Sequence, residues 1–584
     1  MTADLLLERS DQTIYLTGPT HYCWLNDDLS FLSHCGTVWP GLVPYESRPD
    51  LHYQHITQNT GDARALSFLK DRYHQCREKH SQCQRIAPYN DYMPTRTIFV
   101  GSAGEEEVRL CDSVEMIAGS AYIVLSHCWG KNPQHVMLTK STVEMLKEGI
   151  ALSSLPKTFQ DAIAITRTFG IQYIWIDSLC IFQDDLHDWA AEASRMRDVY
   201  SKAELCIAAT GAENGDVGLF LDRDTEQVTP VMVEATWSRE HYLSRWLTPG
   251  FYLFGFNHVE AYEAIDAAPL NQRAWVAQER FLSPRILHFT QSLLFWECQT
   301  FLTHENDAVL ENPNFQEFRG INYLREQLIQ VQRPKFSVGP MQDVTLPNTT
   351  PRELYNAWWE FLADYTSCGI TKESDILVAL VGVADHVGHA TSDCLVAGLW
   401  KANFIEELCW RSDGNISKPS VWRAPSWSWA SLSSRCDNFA YSNGNIDHQM
   451  AAVVELYIST KPSGEVEQGS ALVECRLVPA AVQYRGLKGH DRYYNACTTL
   501  GKKLDVAEAP SCYADQAVDV QLLVLLKNGD GSMYWMTLDG ICVVGSKKQE
   551  GAFERVGYFH AKGAAAMLLL AAYHQARVQA ISLV

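Results

Sequence analysis

The sequence predicts an α/β protein built on a parallel sheet with helices on both faces, followed by a mixed helical and β-rich C-terminal region. Two observations support this fold class. Between residues 119 and 300, short apolar runs alternate with helical patterns, which is typical of a parallel sheet covered on both faces. Beyond residue 301, helical stretches give way to short alternating runs with Gly-rich turns, which favour β structure.

The first strand and helix of the predicted sheet follow directly from local patterns. Tyr122–Leu125 is an apolar run that ends in Ser126, as a buried parallel strand would. Ser154 precedes a proline and a periodic apolar face, so we expect it to cap a helix that Gly170 closes.

The next elements repeat this alternation. Ile171–Ile176 is a second apolar run and ends in Asp177, and Asp188 is expected to cap a second helix. Leu205–Ala209 is a third strand. A segment of about sixty residues, which we interpret as an insertion, separates it from a helix at Arg273–Phe281 and a fourth strand at Ile286–Phe289.

The remaining elements lie outside the central region. Pro94–Val100 predicts a turn that leads into a strand. In the C-terminal region, residues 354–365, 376–384 and 395–408 are helix candidates, whereas 518–526 and 532–538 favour strands. The expected organisation is therefore an N-terminal region at 1–118 packed on the central domain at 119–300, and a C-terminal regulatory or interaction region at 301–584.

Size, charge and cysteine content limit the class of protein. The 584 residues are too many for one hydrophobic core. A formal net charge of −21 argues against a nucleic-acid-binding surface. The longest apolar stretch, Gly563–Tyr573, has about half of the ~20 residues that span a membrane, so it predicts a buried helix. No secretory signal opens the chain, so we expect a cytoplasmic protein with 17 reduced cysteines.

Three residues in the N-terminal region have the spacing of metal ligands. Cys76, His80 and Cys83 offer two thiols and an imidazole within eight residues, a pattern that suits zinc. A structural zinc site needs a fourth ligand, for which Cys111 and His74 are candidates. The alternative is a helix with two half-buried thiols and no metal.

Polar residues at the ends of the predicted strands indicate a pocket. Ligands of an open parallel sheet bind outside the carboxyl ends of the strands, where Ser126 and Asp177 would both lie. Trp129 follows the first strand closely and is suited to stacking on a base. His127 and Cys128 are neighbours on an extended strand and face opposite sides, so they do not form a catalytic pair. A pair formed by Cys180 and His187 remains an alternative.

Several motifs share their order and spacing with one family. Tyr122–Gly130, Leu155–Ala162, Tyr173–Asp185, Asp188–Glu192, Gly218–Phe220 and Arg273–Arg280 resemble the fungal heterokaryon-incompatibility (HET) domain. The resemblance covers roughly residues 119–300, and weaker similarity reaches most of the remainder, including Gly398–Trp400 and Arg423–Ser431. It implies a role in fungal self/non-self recognition, programmed cell death and innate immunity.

The HET domain is in turn distantly similar to the TIR domain, a signalling domain with a flavodoxin-like fold. In NAD-cleaving TIR domains, a helix carries a tryptophan and, four residues later, the catalytic glutamate, which is the spacing of Trp275 and Glu279 here. The resemblance therefore implies NAD glycohydrolase activity with Glu279 as the catalytic residue. It also implies an NAD pocket formed by Ser126, His127, Trp129, Asp177, Arg273 and Trp275, with NAD as substrate and no permanently bound cofactor.

Structural interpretations of the same residues stay open. Glu279 could form an ion pair with Arg280 or Arg285, and Asp177 could cap the turn that follows its strand. The tryptophans could serve only in packing. The second hypothesis for function is therefore a non-enzymatic death-signalling scaffold, which would act as a homo-oligomer and bind an incompatibility partner of unknown identity.

Overall fold

The computed structural model divides the chain into two compact units. The first comprises Met1–Gln272 and Ser283–Glu317, and the second comprises Arg273–Leu282 and Phe318–Val584. Four strands are described within residues 1–55. From residue 56 onward the structure describes the chain except for residues 85–91, 118, 132–135, 229–230, 236–249, 255–263, 306–319, 333–350, 443–447, 462–463, 483–493, 499–502, 508–517 and 530–534.

The first unit contains fifteen described strands in three sheets. They are β1 (Leu6–Ser10), β2 (Thr13–Thr17), β3 (Tyr22–Asn26), β4 (Leu42–Pro44), β5 (Arg96–Phe99), β6 (Glu107–Asp112), β7 (Tyr122–Ser126), β8 (Ile150–Ala151), β9 (Tyr173–Trp175), β10 (Leu205–Ala208), β11 (Val231–Ala235), β12 (Gly250–Phe254), β13 (Arg285–Phe289), β14 (Leu294–Cys298) and β15 (Leu302–His304).

Helices connect these strands. They are α1 (Ala63–Lys79), α2 (Ser81–Gln84), α3 (Val143–Glu148), α4 (Lys157–Thr168), α5 (Asp177–Cys180), α6 (Leu186–Ser201) and α7 (Thr225–Val228), with 3₁₀ turns at Ser113–Glu115, Leu152–Ser154 and Pro269–Gln272.

The main sheet confirms the predicted α/β class. Its strand order is β15-β14-β13-β10-β7-β9-β5-β6-β8. The four central strands β13, β10, β7 and β9 are parallel to one another, and the flanking strands are antiparallel. Numbered along the chain, the parallel strands stand in the order 2-1-3-4, as in flavodoxin-like folds. Every residue of β7, β9, β10 and β13 is buried, which explains their continuous apolar runs.

Residues that precede the central region complete this sheet. β5 confirms the strand predicted after Pro94, and it pairs with β9 on one side and with β6 on the other. The sheet therefore begins before residue 119, inside the region that we expected only to pack on it. The predicted insertion forms β11 and β12, which pair with β4 in a separate antiparallel sheet.

The two predicted helices of the central region are present, but both capping predictions were wrong. α4 begins at Lys157 after Pro156, while the Ser154 hydroxyl donates to the carbonyl of Ala151 instead. The side chain of Asp185, not Asp188, caps α6 by accepting from the amides of His187 and Asp188. Asp188 lies one turn further on, where its carboxylate forms an ion pair with Arg96.

The second unit begins with a helix that is separate in sequence from the rest of the unit. Its helices are α8 (Ala274–Leu282), α9 (Gly320–Gln332), α10 (Pro351–Tyr365), α11 (Val381–Thr391), α12 (Phe404–Glu407), α13 (Phe439–Ser442) and α14 (Gly563–Gln575), with 3₁₀ turns at Glu373–Ile376, Val378–Leu380 and Trp429–Ser431.

Strands dominate the later part of this unit. They are β16 (Leu395–Val396), β17 (Leu399–Trp400), β18 (Trp410–Ser417), β19 (Ser433–Asn438), β20 (His448–Gln449), β21 (Ala452–Thr460), β22 (Val466–Val482), β23 (Tyr494–Thr498), β24 (Lys503–Ala507), β25 (Val518–Asn528), β26 (Thr537–Gly545), β27 (Ala552–Lys562) and β28 (Val578–Leu583). The order β22-β25-β26-β27-β24-β23 returns to β22, so these strands close on themselves as in a barrel.

The C-terminal elements confirm the helical-then-β prediction with local differences. The expected helices at 354–365 and 563–573 are α10 and α14, and α14 buries one face through Ala566, Leu569 and Tyr573. The candidate at 376–384 begins as 3₁₀ turns, and the candidate at 395–408 is a short hairpin followed by one helical turn. Of the strand expected at 532–538, residues 532–534 lie outside the described residues.

In the described part of the chain, no helix is both long enough and apolar enough to cross a membrane.

Candidate functional site

The carboxyl ends of three neighbouring parallel strands meet at one edge of the main sheet. Ser126, the last residue of β7, pairs with Ala208, the last residue of β10. On the other side of β7, Val124 pairs with Trp175, the last residue of β9. The connection after β7 leads to β9, and the connection after β10 leads away to β13. The gap between β7 and β10 is thus a topological switch point, where open α/β sheets bind ligands.

Polar side chains from two of the sequence motifs meet at this edge. The Nε1 of Trp129 donates to Oδ2 of Asp177 at 2.9 Å. The other carboxylate oxygen, Oδ1, accepts from the amide of Ser178 at 2.7 Å and lies 3.8 Å from Nδ1 of His127. The last distance is an electrostatic contact and is too long for a hydrogen bond. The structure therefore brings together Ser126, His127, Trp129 and Asp177, four of the seven predicted site residues.

The imidazole of His127 is held by packing. Its ring meets the ring of Phe159 edge to face at 4.9 Å, and the residue is 3% exposed. Phe159 lies in the first turn of α4, so this helix fixes the ring against the sheet edge. The side chain of Asp177, by contrast, is 27% exposed and remains accessible from solvent.

Two buried hydroxyl groups mark the same edge. Ser126 and Ser178 are at most 2% exposed, and neither hydroxyl has a hydrogen-bond partner among the described residues. A buried polar group without a partner costs about 1–3 kcal/mol, so such groups are normally satisfied by water or by a ligand. These hydroxyls therefore provide unused hydrogen-bonding capacity at the sheet edge that carries Asp177.

Close backbone packing explains the glycine of the first motif. Gly130 has φ +76°, and a Cβ atom at this position would lie 2.7 Å from the Cβ of Asn214. Asn214 belongs to the loop after β10, so the loops that follow β7 and β10 touch here. The sequence Ser-His-Cys-Trp-Gly thus ends in glycine because two site loops pack without room for a side chain.

A second contact joins the start of α4 to the segment at 218–220. The buried carboxylate of Asp161 accepts from the amides of Leu219 and Phe220 at 2.9 and 3.3 Å and pairs with Lys157. Gly218 has φ +86°, and a Cβ there would lie 2.8 Å from the Asp161 carboxylate. Asp161 is a site residue that the sequence motifs did not predict. The signal was the Asp itself, an unusual residue for the buried face of a helix.

The motif at 188–192 is structural. Asp188 receives two hydrogen bonds of 2.7 Å from Arg96 of β5, and Glu192 accepts from Thr95 at 2.7 Å. Arg96 also donates to the carbonyl of Cys180 at 2.7 Å. This network fastens α6 to an antiparallel strand from the N-terminal region.

Asp184 and Asp185 are engaged in local structure, and Cys180 of the alternative Cys180–His187 pair is buried. Asp184 accepts from the amide of Lys140, and Asp185 caps α6 and pairs with the Lys140 ammonium at 3.0 Å. Cys180 is fully buried, and this burial raises the pKa of its thiol to about 12, which opposes formation of the thiolate nucleophile.

The remaining three predicted residues lie in the second unit. The backbone of Arg273 forms an isolated parallel β-bridge with that of Gly369. Trp275 and Glu279 lie on α8 with the predicted spacing of one helical turn. Glu279 is 6% exposed, whereas Trp275 is only partly buried. On the same helix, Oε1 of Gln278 accepts from the amide of Gly382 in α11 at 2.9 Å.

The candidate zinc ligands converge in the first unit. Cys76, His80 and Cys83 lie together with Cys298, and their ligand atoms are all within 4.8 Å of one another. Neither Cys111 nor His74 belongs to this group, so the structure supplies a different fourth side chain from those that we considered.

The fold and the site define an α/β protein whose mixed sheet has a topological switch point of the kind at which such sheets bind ligands. Residues 122–279 match the family model described as heterokaryon incompatibility protein (HET). Residues 122–279 therefore form a HET domain, and this domain supports a role in heterokaryon incompatibility in general. Neither a curated protein nor a solved structure was found to match the chain.

Proposed function

We propose that this protein acts in fungal self/non-self recognition through a TIR-like HET domain that hydrolyses NAD at the nicotinamide–ribose bond. The protein would act in the cytoplasm, and the loss of NAD would cause cell death. One observation carries the proposal: the buried hydroxyls of Ser126 and Ser178, which have no hydrogen-bond partner among the described residues, lie at the same sheet edge as Asp177, His127 and Trp129.

The chemistry requires little of the protein. The bond between ribose C1′ and the nicotinamide nitrogen breaks, its electron pair leaves with nicotinamide, and water adds to C1′ to give ADP-ribose and a proton. The transition state resembles an oxocarbenium ion, which a nearby carboxylate stabilises. The resemblance to TIR domains assigns this role to Glu279, and Asp177 is the carboxylate at the switch point itself.

The other residues would bind the substrate. Ser126 and Ser178 offer hydroxyls to the ribose or to a phosphate. The indole of Trp129 is suited to stacking on a base, although its Nε1 is committed to Asp177. The resemblance implies that Arg273 binds a phosphate and that Trp275 is one of the NAD-binding residues.

The direct test is release of free nicotinamide from NAD by the purified full chain. Glu279→Gln should reduce the rate by at least about 100-fold if Glu279 stabilises the transition state. Asp177→Asn measures the second carboxylate separately. Glu326→Gln, on α9 of the same unit as Glu279, is the matched control and should retain wild-type turnover. Equal turnover by the wild type and both carboxylate variants would remove these residues from the mechanism.

The scaffold alternative is favoured by a specific observation. Both oxygens of Asp177 already accept hydrogen bonds from within the domain, which is the behaviour of a residue that holds a turn. The domain would then signal by homo-oligomerisation and partner binding. If fungal cells expressing the double variant Glu279→Gln, Asp177→Asn still die and their NAD level does not fall, the scaffold explanation is correct.

A further inference from the structure

Four metal-ligand side chains meet on the first unit, far from the candidate pocket. Cys76 lies on α1, His80 is the residue at which α1 ends, Cys83 lies on α2, and Cys298 is the last residue of β14. Their ligand atoms all lie within 4.8 Å of one another. Cys298 joins the group from 218 residues beyond His80, with its Sγ 3.7 Å from the His80 Nδ1.

Local backbone geometry brings the first three ligands to one side. Cys76 and His80 are one helical turn apart. At His80 the backbone leaves the helix with φ −92° and ψ 96°, and α2 then starts at Ser81. This break turns Cys83 back toward Cys76. The two helices thus form a short corner with three ligand atoms on its inner face.

The size and burial of the cluster fit a metal of tetrahedral preference. Zinc–sulfur bonds of about 2.3 Å at tetrahedral angles place ligand sulfurs about 3.8 Å apart. In the structure the ligand atoms lie at most 4.8 Å apart, so only small side-chain movements are needed for them to close around an ion. Cys76 and Cys83 are fully buried and Cys298 is 6% exposed. Three buried thiols and one imidazole are the donor set of a closed Cys₃His zinc site.

Groups around the ligands support them. The Thr300 hydroxyl lies 3.5 Å from Sγ of Cys83, and the Phe301 ring packs edge to face on His80 at 4.9 Å. Three thiolates around Zn²⁺ leave one net negative charge. The guanidinium of Arg285, which donates to the carbonyl of Cys83 at 3.2 Å and also pairs with Glu204, lies beside that charge. Such outer groups orient the ligands of metal sites.

The position of the cluster indicates a structural role. Cys298 pairs with Arg285, the first residue of β13. Since β13 is parallel to β10 and β7, its first residue lies at the amino-terminal edge of the sheet, opposite the edge that carries Ser126 and Asp177. A closed set of four protein ligands also leaves no position for a substrate.

We propose that Cys76, His80, Cys83 and Cys298 bind one structural zinc ion, which fastens the α1–α2 corner to the end of β14. This goes beyond the proposed function, because the site lies at the other edge of the sheet and does not depend on NAD chemistry. The described cysteines of the cluster are free thiols, and a disulfide would join only two of the four side chains.

The experiment measures metal bound to the full chain, expressed with zinc and purified without chelator, by elemental mass spectrometry. We expect about one zinc per chain. Cys298→Ser should reduce this value to near zero, whereas Cys111→Ser, which alters a buried thiol outside the cluster, should leave it unchanged. His80→Cys keeps four ligands and should retain zinc, and His80→Ala should not.

A second measurement covers variants that fail to fold. The wild-type chain, stripped of zinc and loaded with Co²⁺, should show the visible bands of tetrahedral cobalt and a thiolate-to-metal charge-transfer band. Stripping should lower the melting temperature, and zinc but not magnesium should restore it. The proposal would be overturned by a wild-type chain that binds no zinc when zinc is supplied in excess, or by octahedral cobalt spectra. Stoichiometric iron–sulfur absorption, or full zinc retention by Cys298→Ser, would also overturn it.

Discussion

At the scale of single residues, the contact between Gly130 and Asn214 decides whether the two site loops can pack. Alanine at residue 130 would combine two costs, a positive φ and a Cβ–Cβ approach of 2.7 Å. Gly119 has the same φ of +76° with nothing within 4 Å of its Cβ position, so it isolates the first cost.

We therefore expect Gly119→Ala to destabilise the chain by about 1 kcal/mol and Gly130→Ala by roughly 2–4 kcal/mol, because only the second adds overlap to backbone strain. Thermal unfolding followed by circular dichroism measures both. Asn214→Gly in the Gly130→Ala background should recover most of the difference. Equal losses for the two alanine variants would show that the loops do not touch.

A buried carboxylate in the second unit makes stability depend on pH. Burial raises the pKa of Glu407 to about 8 from the ordinary 4.5, although Trp359 and the amide of Trp400 donate to it. Between pH 4.5 and about 8, the folded state therefore keeps on Glu407 a proton that the unfolded state has released. Stability from this group is fully present below pH 4.5 and is lost as the pH rises through about 8.

Glu407→Gln should remove this dependence, since glutamine keeps the acceptor for Trp359 and cannot ionise. Unfolding free energies measured in urea from pH 5 to 9 should show the wild type losing up to ~1.4 kcal/mol per pH unit relative to the variant. Glu474→Gln, an exposed position of the same unit, is the control and should follow the wild type. Parallel curves for wild type and Glu407→Gln would contradict the assignment.

At the scale of elements, the Arg96 network fastens α6 to β5. Arg96 is 7% and Glu192 2% exposed at the side chain, so removal of the guanidinium takes a buried cation from the carboxylates of Asp188 and Glu192. Arg96→Met should therefore cost ~3–5 kcal/mol. Lys140→Met removes an ion pair whose lysine is 66% exposed and should cost less than ~1 kcal/mol. Similar shifts in melting temperature for both variants would refute a structural role for the network.

The same elements show what local sequence patterns can predict. The strands β7, β9, β10 and β13 were predictable because each is buried along its whole length and reads as a continuous apolar run. The positions of Ser126 and Asp177 at one edge of the sheet followed from the ends of those runs. In contrast, the polar anchor at Asp188 was mistaken for a helix cap, because its true partner, Arg96, lies far away in sequence.

The other features that the sequence did not predict depend on partners that are distant in sequence. Cys298 lies at the end of an ordinary apolar strand, and nothing near it in sequence marks it as a ligand. Likewise, the apolar face of α8 indicates a helix but not the unit against which it packs. Such information depends on tertiary contacts, which no local period records.

At the scale of the whole molecule, α8 makes the second unit discontinuous in sequence. Phe281 packs against His386 at 5.6 Å between ring centroids, and Arg325 donates to the Phe281 carbonyl at 3.1 Å. A fragment of residues 318–584 would lack these contacts. We expect it to melt at a lower temperature than the same fragment with residues 273–282 restored through a flexible linker.

Binding of a hydrophobic dye should also fall when the segment is restored, because the exposed apolar surface of its partners is covered again. The control carries the same linker and segment with Gln278, Phe281 and Leu282 changed to alanine. If that control stabilises the fragment as well as the native segment does, α8 is not an integral part of the second unit.

The order of protein synthesis adds a consequence of this discontinuity. The helix α8 leaves the ribosome before Arg325, Gly382 and His386 have been translated, so its buried face has no native partner at that moment. An apolar helix face on a nascent chain is a binding site for chaperones and a starting point for aggregation. The yield of folded protein in the cell should therefore depend on how long translation takes to pass from Leu282 to His386.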